Sequence, residues 1–199
     1  MLGEIKSLVL ASRNADKIKE LQLGLEALGV EVKSSLDFPS LEDVDEDANT
    51  LEGNAYKKAE YTYRMTGLPS LADDTGLEVD ALNGEPGVYS ARYAGENVTY
   101  ADNVKKLLKE LGTQHNRDAR FRTVVCLVCD DGVFTFQGVC DGTILDHTMG
   151  TGGFGYDPVF KPIGYDKTFA ELTPEIKNEI SHRGKAIKQF VNFLKDIFS

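Results

Sequence analysis

Two adjacent carboxylates after a short apolar run are the feature that most constrains this chain. The run Ser70-Leu-Ala is followed by Asp73, Asp74, Thr75 and Gly76. Like charges on neighbouring residues are costly unless a cation or a proton lies between them. Hard oxygen ligands at the end of a strand suit Mg²⁺, which usually takes one or two carboxylates together with substrate phosphates. Alone, the pair is more typical of a solvated turn, so its meaning depends on the rest of the chain.

Strand and helix patterns alternate along the chain and indicate the fold class. Strands are predicted over residues 6–11, 77–82, 120–129 and 133–140, with another around Ile144. Helices are predicted through Ile18, Leu21, Leu25 and Leu28 to Gly29, over about residues 50–65 and 99–111, after Thr173, and along Ile187, Phe190, Val191, Leu194 and Phe198. This order predicts an α/β fold: a mixed twisted sheet in two lobes, with helices packed on it and a central substrate cleft. Residues 1–199 are expected to form a single two-lobed domain.

The charge balance limits the partners that this chain can bind. Its net charge of −10 argues against a nucleic-acid polymer or an anionic membrane surface, because both require broad positive surface. No apolar run is long enough to span a bilayer, and the N-terminus lacks a basic region followed by an apolar one, so we expect a cytoplasmic protein. Cys126, Cys129 and Cys140 form no disulfide framework or zinc set and are predicted to be buried free thiols.

The first strand-to-helix turn carries Ser12, Asn14 and, one turn into the helix, Lys17. Backbone N–H groups at a helix start, with a lysine nearby, form a natural phosphate site. The turn has no Walker glycines, so a plain N-cap beside a surface lysine is the alternative. On the helix predicted from about residue 50, Asn54 and Lys58 lie four residues apart and therefore share a face.

Two later segments also carry residues typical of a ligand site. Residues 150–160 interleave glycines with Phe154 and Tyr156, so the backbone can approach a ligand closely while a ring stacks on it. A flexible linker is the alternative, but it would lack these rings. Further on, His182 and Arg183 lie at a helix N-terminus, where positive charge opposes the macrodipole, so the pair is predicted to meet an anionic or acceptor-rich partner.

Five motifs stand in the order found in one family. They are Leu10-Ala-Ser-Arg-Asn-Ala-Asp-Lys17, Leu71-Ala-Asp-Asp-Thr-Gly-Leu77, Gly84-Glu-Pro-Gly-Val-Tyr-Ser-Ala-Arg-Tyr93, Gly152-Gly-Phe-Gly-Tyr-Asp-Pro158 and Lys177-Asn-Glu-Ile-Ser-His-Arg183. From about residue 8 to 195, the chain resembles the inosine triphosphate pyrophosphatase family. The resemblance implies a two-lobed α/β homodimer that uses Mg²⁺. It also implies hydrolysis of ITP, dITP and XTP to the monophosphate and pyrophosphate, which keeps these nucleotides out of DNA and RNA.

The resemblance also implies residue roles. Asp74 is the catalytic proton acceptor and a metal ligand, and Thr75 contacts the substrate. Base and sugar are held by Phe154, Gly155, Tyr156 and Asp157, and Lys177, His182 and Arg183 complete the nucleotide site. The phosphates are held by Ser12, Arg13, Asn14, Ala15, Asp16 and Lys17. Because the protein is acidic, Lys58 is expected to join Lys17, Lys177 and Arg183 in neutralising the triphosphate locally.

The chain departs from the family pattern at two places. Gly53-Asn54-Ala55 stands where relatives usually read Glu-Asn-Ala, and Glu46-Asp-Ala-Asn replaces a Glu-Thr-Gly pattern. Glu46 is the best match for the metal-binding carboxylate, with Asp45 as the alternative. The role of Asp73 stays open at this point.

Base selectivity has a physical rationale. Hypoxanthine and xanthine present an oxygen at C6, whereas adenine presents an amino group. Donors on His182 and Arg183 would be left unpaired opposite adenine, at roughly 1–3 kcal/mol per group. Guanine shares the C6 oxygen, so its exclusion would have to come from its 2-amino group meeting a tight wall or an unmatched donor. A nucleotide-binding regulator without turnover and a pyrophosphatase with another base preference are the two alternatives.

Overall fold

The computed structural model describes residues 5–25 and 29–198, the side chains of residues 24, 197 and 198 excepted. The strands are β1 (Ser7–Leu10), β2 (Glu31–Ser34), β3 (Ser70–Val79), β4 (Pro86–Gly87), β5 (Asp118–Cys129), β6 (Gly132–Ile144) and β7 (Phe160–Pro162). The α-helices are α1 (Ala15–Leu25), α2 (Leu51–Thr66), α3 (Tyr100–Leu111), α4 (Pro174–Ile180) and α5 (His182–Phe198). Leu28 and the Phe198 side chain, both predicted from the sequence to lie on apolar helix faces, fall outside the residues and side chains that the structure describes.

The described strands form one mixed sheet in the order β2-β1-β3-β5-β6-β7, with β4 paired to β3. β1 is parallel to both β2 and β3, with Val9 opposite Ser70 and Leu10 opposite Leu71. β3 and β4 are antiparallel, as are β6 and β7. The predicted mixed α/β fold is therefore confirmed.

The chain divides into two compact units. The first contains the described residues up to Asp74, Thr123–Gly138 and the chain from Arg183 onward. Its core joins apolar residues of β1, α1, β5 and α5, which include Leu8, Leu21, Val125 and Phe190. The apolar stripe predicted along the last helix lies in this core, since Ile187, Phe190, Val191 and Leu194 are buried.

The second unit contains Thr75–Arg122 and Val139–His182. Its core collects apolar residues from the C-terminal part of β3, from α3, β5 and β6, and from the segment around β7. Phe121 contacts Phe160 at 4.7 Å and Phe169 at 6.0 Å between ring centroids. The two-lobed domain with a central cleft stays a prediction.

Local signals explain the helix boundaries. Thr50 caps α2 by accepting a hydrogen bond from the Gly53 N–H, and the helix ends at Gly67 with φ 64°, a conformation that favours glycine. Thr99 and Asp102 form a reciprocal capping box at the start of α3. These caps agree with the boundaries predicted from the sequence.

Three features of the predicted strands were wrong. Asp73 and Asp74 do not lie in a turn between strands; they lie inside the continuous ten-residue strand β3. Asp141-Gly142 does not separate two strands, because β6 continues through it to Ile144. At these two places pairing with neighbouring strands overrides a local turn signal. The segment 80–82, in contrast, was predicted as strand and is a 3₁₀ turn.

The three cysteines are buried free thiols, as predicted. Burial raises the pKa of Cys126 to about 12. In the part of the chain that the structure describes, no helix is long and apolar enough to cross a membrane.

Candidate active site

The parallel pairing of β1 and β3 determines where the site lies in the first unit. Carboxyl ends of parallel neighbours meet at one edge of a sheet, where α/β proteins commonly bind ligands. The turn after β1 carries Ser12 and Asn14, and Asp73 and Asp74 lie beyond the β1–β3 pairing. Both aspartates are buried, with exposures of 2% and 5%. The solvated-turn alternative for this pair is therefore wrong.

Asp73 lies in a buried ion network. Its Oδ2 accepts hydrogen bonds from Arg183 Nε at 3.2 Å and Nη2 at 3.1 Å, and lies 3.4 Å from Lys17 Nζ. Arg183 Nη1 also donates to Glu20. Burial alone would raise the pKa of Asp73, but Lys17 and Arg183 hold that pKa far below its usual range. Asp73 is therefore a permanent anion that neutralises two cations.

Asp74 has a different set of partners. Its Oδ2 accepts a hydrogen bond from Asn54 Nδ2 at 3.0 Å, and its Oδ1 lies 3.6 Å from Lys58 Nζ. Lys58 also donates to Glu46 and, at 2.7 Å, to the Asp73 carbonyl oxygen. Burial raises the pKa of Asp74, and Glu46 raises it further against the opposing effect of Lys58. A carboxylate with a raised pKa is suited to accept a proton.

Glu46 and Lys58 form the other half of this cluster. Burial would raise the pKa of Glu46, but the Lys58 ammonium lowers it overall. Burial would likewise lower the pKa of Lys58, but Glu46 and the two aspartates raise it. Glu46 is thus an anion and Lys58 a cation at neutral pH.

The donor set fits a hard divalent cation. Glu46 and Asp74 contact one ammonium from two sides, so two carboxylates converge on a position that already holds positive charge. Mg²⁺ characteristically takes one or two carboxylates and completes its shell with water and phosphate oxygens. Among residues 5–25 and 29–198 no group of three or more histidine, cysteine or acidic side chains is placed to hold a metal. Asp45 is exposed, and its carbonyl accepts from Lys57 Nζ at 3.2 Å, so the structure brings Glu46 and not Asp45 to Asp74.

The turn after β1 is capped internally. Asn14 Oδ1 accepts from the Asp16 N–H at 3.0 Å and the Lys17 N–H at 3.2 Å, which is an ordinary N-cap. The Lys17 side chain is only 19% exposed and reaches Asp73, so it is not the surface lysine of the alternative interpretation. Arg13 is exposed and pairs with Asp43 at 2.9 Å. Ala15 occupies the first position of α1.

In the second unit, the glycine–aromatic segment is organised by Asp157. Its buried Oδ2 accepts from the Phe154 N–H at 2.8 Å and from Lys177 Nζ at 2.6 Å. The ammonium of Lys177 also lies 4.8 Å from the centroid of the Phe154 ring. A side chain at Gly153 would clash, because an added Cβ would lie 2.1 Å from Asp157 Oδ2. The segment is therefore an ordered loop, and the linker alternative is wrong.

The remaining predicted residues of this unit are mostly in its interior. His182 is buried and stacks on Phe121, with ring centroids 4.5 Å apart. Tyr156 is buried and donates its hydroxyl to the Ser90 carbonyl at 2.9 Å, and burial raises its pKa. Thr75 follows Asp74 on β3 and is half-buried, and Gly155 adopts φ 61° in the loop.

Sequence reasoning missed two members of the first-unit cluster. Glu20 contacts Arg183 across 163 residues, and no local pattern marks it. The contact of Asn54 with Asp74 was also missed, although the shared helix face of Asn54 and Lys58 was the signal that could have revealed it.

The comparisons with known proteins agree with this fold. A family model described as the Ham1 family matches residues 8–193. A dITP/XTP pyrophosphatase of Flavobacterium johnsoniae is 52% identical over 187 residues, which cover 94% of this chain and 97% of that protein. A dITP/XTP pyrophosphatase of Desulfotalea psychrophila is 48% identical over 186 residues, which cover 93% of this chain and 83% of that protein.

Solved structures give the same result. The Ham1 protein of Staphylococcus aureus matches with a TM-score of 0.87 at 41% identity, covering 96% of this chain and 100% of that one. The Ham1 protein of Coxiella burnetii matches with a TM-score of 0.88 at 40% identity, covering 96% and 98%. The fold and site define an α/β protein with a buried carboxylate and lysine cluster at the edge of its sheet. The chain belongs to the Ham1 family.

Proposed function

We propose that this chain hydrolyses non-standard purine nucleoside triphosphates, namely dITP, ITP and XTP, to the monophosphate and pyrophosphate. The relatives named dITP/XTP pyrophosphatase support this substrate class. The single observation that carries the proposal is the convergence of Glu46 and Asp74 on the Lys58 ammonium. Such an arrangement can hold a cation together with the phosphates that it neutralises. The cellular result would be a nucleotide pool cleared of bases that mispair in DNA and RNA.

Asp74 is the proposed proton acceptor. Its Oδ2 accepts a hydrogen bond from Asn54 and its Oδ1 lies 3.6 Å from the Lys58 ammonium. We assign to Oδ1 the acceptance of a proton from water or the binding of the metal. Its raised pKa increases the basicity of the ionised carboxylate. A bound Mg²⁺ would supply charge neutralisation at the triphosphate, with Glu46 and Asp74 as its ligands. Lys17 and Lys58 would bind phosphate oxygens that the metal leaves exposed.

The phosphate and base contacts come from different residues. We assign the phosphates to the turn Ser12, Arg13, Asn14, Ala15, Asp16 and Lys17, whose start is capped and ordered. We assign the base and sugar to Phe154, Gly155, Tyr156, Asp157, Lys177 and His182, with Thr75 contacting the substrate. Phe154 is the ring best suited to stacking, because Tyr156 lies in the core.

Arg183 already pairs with two carboxylates. Its guanidinium is committed to Asp73 and Glu20, which leaves it better placed to fix Asp73 than to neutralise a phosphate alone. We retain its predicted role in base recognition as a proposal. Mg²⁺ dependence, a homodimer and a cytoplasmic location are likewise proposals. The family resemblance and the carboxylate pair support Mg²⁺, the family resemblance alone supports the homodimer, and the location rests on the sequence expectation.

Product analysis tests the proposal. The full chain is incubated with Mg²⁺ and, separately, with dITP, XTP, dATP and dGTP, and the products are separated by anion exchange. We expect monophosphate and pyrophosphate from dITP and XTP, with far slower release from dATP and dGTP. Equal turnover of all four would reject the base selectivity. Binding of dITP without any product would instead identify the nucleotide-binding regulator.

A further inference from the structure

Asn54 links the Asp74 carboxylate to the backbone of the segment that carries Glu46. It lies on α2 with 0% exposure. Its Nδ2 donates to Asp74 Oδ2 at 3.0 Å, and its Oδ1 accepts from the Ala48 N–H at 2.9 Å. One buried amide therefore contacts both the proposed proton acceptor and the backbone two residues after Glu46.

These two hydrogen bonds restrict the orientation of the Asp74 carboxylate and the position of the backbone next to Glu46. The bond to Oδ2 fixes the rotation of the Asp74 carboxylate, which directs Oδ1 towards Lys58. The bond from Ala48 ties the segment that carries Glu46 to the same helix. Lys58 lies one turn further along α2 and contacts both carboxylates, so a single helix face determines their spacing.

An amide side chain is suited to position 54, which requires one hydrogen-bond donor and one acceptor. Asn offers a donor and an acceptor in one neutral side chain, whereas an aspartate offers acceptors only. A carboxylate at residue 54 would keep the bond from Ala48 but would set a second negative charge against Asp74 Oδ2. A leucine or alanine would leave the Ala48 N–H and the Asp74 oxygen without this partner.

We propose that Asn54 is a positioning residue that holds Asp74 and the Glu46 segment in the geometry a divalent cation requires. The inference rests on the proposed function, since it assigns Asn54 a role towards the metal ligands of that reaction. Groups that orient the ligands of a metal typically contribute about 10–100-fold to metal affinity or activity.

Asn103 provides a matched control in the second unit. It is also a buried helix asparagine: its Oδ1 accepts from the Ala94 N–H at 2.7 Å, and its Nδ2 donates to the Ala91 carbonyl at 3.0 Å. It ties a loop to α3 with the same two bonds, but its donor meets a backbone carbonyl and not a carboxylate. Asn103→Ala therefore reports the structural cost of losing such a bridge.

The experiment compares the wild-type full chain with Asn54→Ala, Asn54→Asp and Asn103→Ala. Mn²⁺ serves as the probe, and its binding is followed by electron paramagnetic resonance without nucleotide. The kcat and KM for dITP at saturating Mg²⁺ and the melting temperature are measured on the same preparations. Asn54→Asp keeps an acceptor for the Ala48 N–H but replaces the donor to Asp74 with a negative charge, and the melting temperature of each variant shows whether it is folded.

We expect Asn54→Ala to weaken Mn²⁺ binding about 10–100-fold and to lower kcat more than it raises KM. Asn54→Asp should lose kcat at least as strongly, because the added negative charge faces Asp74 Oδ2. Asn103→Ala should melt lower but keep Mn²⁺ affinity and kcat. The inference is overturned if Asn54→Ala matches the wild type in both quantities, if Asn103→Ala loses as much, or if the wild type binds no Mn²⁺.

Different measurements would reject the proposed function and the role of Asn54. A wild-type protein that binds Mn²⁺ but hydrolyses none of the triphosphates would reject the proposed function. The Mn²⁺ affinity of Asn54→Ala would still decide the role of Asn54, because that measurement needs no turnover.

Discussion

The Asp73 carboxylate accepts two hydrogen bonds from the Arg183 guanidinium, which joins the interior of β3 to the first turn of α5. Asp73 and Asp74 are neighbours in the chain, but this pairing gives them different partners. Asp73 is neutralised by Arg183 and Lys17, whereas Asp74 shares Lys58 with Glu46. The role of Asp73, which the sequence leaves open, is therefore to form an ion pair within the first unit.

Replacing Asp73 tests this pair. Asp73→Asn should lower the free energy of unfolding by about 3 kcal/mol, because it leaves the buried Arg183 guanidinium with less compensation. Urea denaturation at neutral pH measures the loss. A change below about 1 kcal/mol would contradict the ion-pair role.

The same variant should alter the pH dependence of stability. The pKa of Asp73 is depressed in the folded protein, so the ionised carboxylate stabilises the fold above the unfolded-state pKa of about 3.9. That contribution is lost as the pH falls below this value towards the folded pKa. Wild-type stability should therefore decline more steeply than that of Asp73→Asn below about pH 4, and parallel curves would count against the assignment.

Gly53 and Ala48 should be energetically coupled. A Cβ at Gly53 would lie 2.8 Å from the Ala48 Cβ, so Gly53→Ala should cost about 1 kcal/mol despite the better helix propensity of alanine. In an Ala48→Gly background the same change should become stabilising. A double-mutant cycle by urea denaturation measures the coupling, and additive effects would exclude it.

Gly153 and Gly155 form a matched pair in the loop of the second unit. Both have positive φ, but an added Cβ would strike Asp157 only at Gly153 and would meet nothing within 4 Å at Gly155. Gly153→Ala should therefore raise KM for dITP several-fold more than Gly155→Ala. Equal effects of the two substitutions would mean that backbone strain alone, and not the Asp157 contact, determines the loop.

Lys177 should contribute to substrate binding through its buried ion pair. Lys177→Met removes the ammonium that contacts Asp157 and the Phe154 ring, so KM for dITP should rise by about 10-fold or more. Lys188→Met makes the same charge change at an exposed position and is the control. The assignment of Lys177 would be withdrawn if both variants shifted KM equally.

The order of strands and helices could be predicted because their apolar periodicity is local. The continuity of β3 could not, since Asp73 and Asp74 are polar residues whose burial depends on distant partners. Arg183 lies 110 residues from Asp73, and Glu20 lies 163 residues from Arg183. Site roles for residues such as Ser12, Asp74 and Lys177 were predicted through family motifs, but contacts such as Asn54 to Asp74 required the fold.

The role of Asp74 is tested most directly by the rate of pyrophosphate release from dITP in Asp74→Asn. The amide keeps the shape of the side chain but cannot accept the proton, so kcat should fall by about 10²–10⁴-fold. Because Asp74 is also a proposed metal ligand, binding of dITP, measured by calorimetry with Ca²⁺ in place of Mg²⁺, should weaken as well, so the rate is compared at saturating Mg²⁺ and dITP. A variant that binds dITP and retains the full wild-type rate would contradict the central claim that Asp74 is the proton acceptor.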